Sequence, residues 1–99
     1  MIQRYHISKT PSGGSASWNT DDLRGVMLQL LVNPTTATTT YDITLTDDDS
    51  IVVYSKKGNK GTLKDTTQMG LYGIYTVDIT NASVNEVFKF SLRFDELMR

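Results

Sequence analysis

Side chains able to act chemically are few in this chain, and their spacing suits catalysis poorly. His6 is the only histidine among 99 residues, and there is no cysteine. A Ser-His-Asp arrangement would have to use His6, which sits in an N-terminal strand pattern, with no nucleophile motif elsewhere. Transition-metal binding through His and Cys fails for want of ligands. Asp47-Asp48-Asp49 offers hard oxygen atoms, yet three consecutive carboxylates lack the alternating spacing and closing glutamate of a calcium loop. They read as a solvated turn. Gly58-Asn59-Lys60-Gly61-Thr62 has neither the spacing of a phosphate-cradling loop nor a helix pattern after it. Asn81-Ala82-Ser83 fits a glycosylation sequon, a motif too short to mean much alone. None of the nine Asp or of the two Glu, Glu86 and Glu96, has a context that would raise its pKa for glycoside cleavage. The expectation is a protein without catalysis, cofactor or metal.

Binding and assembly remain. Trp18, the only tryptophan, lies in the polar stretch Thr10–Thr20, which Pro11, Gly13 and Gly14 mark as a flexible loop or arm around residues 9–20. It either folds back as a lid on the domain's own core or anchors the arm to a neighbouring subunit, as interface tryptophans do. Thr35, Thr36, Thr38, Thr39 and Thr40 form a nearly low-complexity run, read as a wide loop leading into a strand. With Trp18 they are the candidate interface residues. Tyr72 and Tyr75 are predicted on opposite faces of one strand, leaving at least one ring partly exposed.

The elements that would carry these residues are strands. In Val87–Phe94 the apolar Phe88, Phe90, Leu92 and Phe94 alternate with Lys89, Ser91 and Arg93, the period of a strand with one dry and one wet face. Tyr41, Ile43 and Leu45 repeat the rhythm, and Tyr41–Thr46 with Ile51–Lys56 predicts a hairpin closed by Asp47–Ser50. Ile2–Ser8 is a first strand. Leu71–Thr80 is another, with Leu71, Tyr75, Val77 and Ile79 on one face. Residues 56–70 read as a long irregular connection. Leu23–Val32 is ambiguous: Leu23, Val26, Met27, Leu30 and Leu31 fall at helical spacing after Thr20-Asp21-Asp22, which resembles an N-cap. A helix, however, would strand Leu28 and Val32 on its wet face and place Gly25 in its interior at a cost of roughly 1 kcal/mol. A central strand is the better account, ended by Asn33-Pro34.

These patterns predict one all-β domain over residues 1–99, a compact antiparallel β-sandwich or small barrel of about six or seven strands. The core is expected to combine the Phe88–Phe94 face with Ile43, Leu45, Val77 and Ile79. A formal charge of -1 argues against general binding of nucleic acid or an anionic membrane. No apolar run approaches a membrane span, and the N-terminus lacks the apolar core of a signal peptide. The start at Met1 and the end soon after the last strand pattern suggest a stand-alone product.

Leu23-Arg24-Gly25 entering an apolar strand, Pro34-Thr35-Thr36, Thr38-Thr39-Thr40-Tyr41-Asp42 and Gly73-Ile74-Tyr75-Thr76-Val77 together resemble the small β-sandwich structural proteins of tailed bacteriophage particles. The resemblance runs from Leu23 to Phe94 and rests on texture without a diagnostic motif. It implies a non-enzymatic virion protein that decorates a capsid or builds a head–tail or tail part. The implied partners are copies of itself and other virion proteins such as a major capsid protein, met during assembly in a host cytoplasm. The competing expectation is a carbohydrate- or ligand-binding β-sandwich module using Trp18 and the tyrosines.

Overall fold

The computed structural model describes residues 1–96, which fold as two antiparallel sheets packed face to face. Among the described residues nine strands occur in chain order: β1 (Ile2–Lys9), β2 (Ala16–Asn19), β3 (Leu23–Pro34), β4 (Thr40–Thr46), β5 (Val52–Lys60), β6 (Leu63–Asp65), β7 (Met69–Gly73), β8 (Thr76–Thr80) and β9 (Phe88–Glu96). One sheet runs β1-β9-β3, with β6 and β7 both paired to the far side of β3. The other runs β2-β8-β4-β5. The sandwich alternative holds, with more strands than the six or seven expected. No helix long and apolar enough to cross a membrane occurs among the described residues.

Alternation places the core. Phe88, Phe90, Leu92 and Phe94 of β9 point inward with Met27, Leu30 and Val32 of β3, and meet Tyr41, Ile43, Leu45, Val77 and Ile79 of the opposite sheet. Every residue assigned to the core from sequence is buried. Phe90 is buried there and makes T-shaped contacts with two rings, Trp18 at 5.6 Å and Tyr5 at 6.2 Å between centroids. Such edge-to-face contacts add to what area burial alone supplies.

Leu23–Val32 is a central strand, as its two apolar faces suggested. A bulge between Met27 and Gln29 shifts the parity: Leu23 and Met27 point inward before it, Leu30 and Val32 after it. That single shift creates the three- and four-residue spacing that mimics a helix. Gly25, at φ 149°, lets β3 pass so close to β9 that any Cβ there would collide with the Asp95 carbonyl.

Three expectations are corrected. Residues 9–20 are no free arm. Ser12 and Ser15 exchange backbone hydrogen bonds in a tight turn, and Ala16–Asn19 then pairs with β8. Residues 56–70 are largely strand, because β5 continues to Lys60 and β6 and β7 follow a turn at Gly61. Leu71–Thr80 is two strands, divided at Gly73 (φ 115°), where the chain leaves one sheet for the other. Leu71 therefore faces the core from one side, and Val77 and Ile79 face it from the other.

Candidate functional site

Thr35–Thr40 crosses from β3 to β4 at one end of the sandwich, and Asn81–Val87 crosses back beside it from β8 to β9. Pro34 closes β3 because it has no N–H to donate onward. Glu86 then ties the two crossings together. Its carboxylate accepts the Thr36 N–H at 2.6 Å, the Thr36 hydroxyl at 2.8 Å and the Thr39 hydroxyl at 3.0 Å. Burial pushes the Glu86 carboxyl up, but these hydrogen bonds outweigh it and hold the group below its ordinary value. The Thr35 hydroxyl donates to the Val87 carbonyl, and Thr40 exchanges hydrogen bonds with Ser83.

This geometry divides the candidate interface residues. Thr35, Thr36, Thr38 and Thr40 are exposed on one surface, whereas Thr39 is buried beneath the loop. Trp18 does not join that surface. It is packed into the core at 8% exposure, and among the described residues its indole N–H meets no hydrogen-bond acceptor. Of the two roles open to Trp18 from sequence, the folded chain places it in the lid role.

The remaining motifs resolve into local structure. Asp47 Oδ1 accepts the N–H groups of Asp49 and Ile51, so the triple Asp is first a turn, with Ser50 in the left-handed region at φ 64°. The three carboxylates lie within 4.8 Å of one another. The Gly58 and Gly61 N–H groups donate to the Asp42 carboxylate and the Thr39 carbonyl, so they do not form an open phosphate cradle. In the sequon, the Asn81 amide donates to Asp42 and the Ser83 hydroxyl accepts the Thr40 N–H. Among the tyrosines, Tyr41 and Tyr75 are buried and Tyr5 and Tyr54 half-buried. Tyr72 is 70% exposed, with the Arg24 guanidinium 4.7 Å from its ring centre. Tyr72 is exposed and Tyr75 buried, but they do not share one strand as predicted, since Tyr72 lies in β7 and Tyr75 just before β8; among the described residues no aromatic platform for stacking a sugar is assembled.

Two surfaces escaped the reading of motifs. One is the start of the edge strand β5, where Val52 and Val53 are exposed together with Ile51 just before it. The other is the outer face of β1, β9 and β3. There Arg4 lies opposite Arg93, and Arg93 opposite Gln29; His6 lies opposite Ser91, and Lys89 opposite Asn33. These residues line a groove of about 350 Å³. The signal was present in the polar half of the β9 alternation, which positions Lys89, Ser91 and Arg93 together but says nothing of what lies beside them.

No protein-family model and no curated protein matches the chain. Among solved structures, the chain is similar to a chain in the structure of infectious bursal disease virus Gt strain, with a TM-score of 0.41 and 9% identity. That alignment covers 95% of this chain and 32% of the other, so this chain spans about a third of that chain's length.

Proposed function

We propose that this chain is a non-enzymatic structural protein of a virus particle, a capsid decoration or cement protein or a head–tail or tail component, working through repeated protein–protein contacts. The reading draws on the resemblance carried by residues 23–94 and on one physical observation, the uneven protection of the β5 edge. Unpaired strand edges recruit other strands unless charge, proline or a covering segment blocks them. Lys56, Lys57 and Lys60 guard the later part of β5, while Ile51, Val52 and Val53 are left exposed. An edge open over a short apolar stretch and guarded beyond it suits strand addition in one register. The reading assigns no catalytic step and no cofactor. A sugar-binding role is disfavoured because Trp18 and most of the tyrosine surface are engaged in the fold.

Co-expression with the products of neighbouring genes tests this. The chain should sediment with large assemblies, and Val52→Lys should release it while leaving the fold intact by circular dichroism. A wild-type chain that stays at the top of the gradient, with no assembly taking it up, would overturn the proposal.

A further inference from the structure

The groove on the outer face of β1, β9 and β3 concentrates positive charge in a chain whose formal charge is only -1. Arg4, Lys89 and Arg93 line it with His6, Gln29 and Asn33, and among the described residues no carboxylate does. Lys64 of β6 lies opposite Leu31 and extends the cationic strip. Among the described residues, none of Arg4, Lys64, Lys89 and Arg93 has a carboxylate partner; the ion pairs there are Met1–Asp95 and Arg24–Asp22. Arg4 and Arg93 stand directly opposite each other, an arrangement that costs stability in a free chain. An anion seated between them relieves that repulsion.

The complementary feature is the β4–β5 turn. Asp47, Asp48 and Asp49 bring three carboxylates within 4.8 Å, and Asp48 and Asp49 are exposed. The turn cannot reach the groove of its own chain. Asp48 lies against Gly73, which pairs with Leu23 at the start of β3, whereas Gln29 is six residues further along, about 20 Å away in a strand. We infer that the Asp47–Asp49 turn of one copy docks in the Arg4–Lys89–Arg93 groove of the next. The contact is heterologous, joining different surfaces of two copies, so it closes into a ring or propagates. It rests on the reading of this chain as a repeated-contact structural protein and adds a copy-to-copy contact distinct from the β5 edge. A nucleic acid is a poorer occupant. The groove offers no exposed aromatic ring for base stacking, and the near-neutral chain gives a long polyanion little steering.

Sedimentation velocity of the full chain at low and high salt reads the contact, with circular dichroism confirming each variant folded. Wild type should self-associate at low salt and dissociate at high salt. Arg93→Glu and Asp48→Lys should each weaken association by about tenfold or more, and the two substitutions in one chain should restore it. Three results would each overturn the inference: a wild type monomeric at every concentration, Asp48→Lys associating like wild type, or a double variant as weak as the singles. Binding of a short labelled single-stranded oligonucleotide that is lost in Arg93→Glu but kept in Asp48→Lys would also overturn it, in favour of nucleic acid. Co-sedimentation with particles is read separately, so failure of the turn–groove contact is distinguishable from failure of the virion assignment.

Discussion

The Tyr54 hydroxyl donates to Oδ2 of Asp65 at 2.6 Å, joining the edge strand of one sheet to β6 at the border of the other. The contact links the two sheets through side chains, since β5 and β6 belong to different sheets. Hydrogen bonds from Tyr54, and then from the Thr67 side chain and N–H, draw the Asp65 carboxyl down to about 2 from 3.8. Burial first, and then the hydrogen bond to Asp65, raise the Tyr54 phenol above its usual 10.

These shifts predict a bounded stability window. A depressed carboxyl stabilises the folded state above its unfolded value, so the Asp65 contribution is complete above pH 3.8 and lost as pH falls toward 2. Allowing for solvent screening, about 1 kcal/mol is at stake. Tyr54→Phe should remove most of it at neutral pH and little at pH 2. At the alkaline end, the raised phenols of Tyr54 and of Tyr41 (about 12, through burial) erode stability as pH climbs beyond 10. Urea unfolding across pH in wild type and Tyr54→Phe tests both limits; a constant difference between them would refute the assignment.

Phe90→Ala should cost about 3–5 kcal/mol, because it removes a fully buried ring and the surface that Trp18 and Tyr5 pack against. That is a large share of the stability of a 99-residue domain. An unchanged melting temperature would exclude this core.

Gly25→Ala should be among the most damaging of single-methyl additions. The left-handed backbone and the Asp95 carbonyl both oppose a Cβ, so β3 and β9 must separate at their closest approach. Gly70→Ala, with open space around the added carbon, is the control and should be tolerated. Thermal denaturation of the two variants makes the comparison.

Glu86→Ala should lower the melting temperature and loosen the Thr35–Thr40 loop, since three hydrogen bonds on one carboxylate vanish together. Glu86→Gln should fall between the variant and wild type. In wild type, the depressed carboxyl makes this contribution disappear as pH drops through the carboxylate range. Amide exchange at Thr36 and Thr39 reports the loosening directly.

Deleting residues 1–18 should unfold the domain. The deletion takes away β1, most of β2 and the buried Trp18. A folded, monomeric fragment would restore the idea of a detachable arm. In the intact protein, Trp18 should emit at a blue-shifted wavelength and resist acrylamide quenching.

Much of the fold was legible in the residues alone. Strict alternation in β9 and β4 identified strands and their buried faces, because a period of two leaves a pleated strand no other way to bury its apolar side chains. Turn chemistry at Asp47–Ser50 fixed the hairpin for an equally local reason. Tertiary structure decided what alternation cannot encode. A bulge at Leu28 reversed the parity of β3 and gave a strand the spacing of a helix. Gly73 split one apparently continuous pattern between two sheets, since inward-facing residues look alike whichever layer carries them. Trp18 looked detached in its polar stretch, yet pairing of β2 with β8 carried it onto Phe90. The cationic groove arises only when β1 and β3 flank β9, because residues 4, 29 and 93 become neighbours through register and not through sequence.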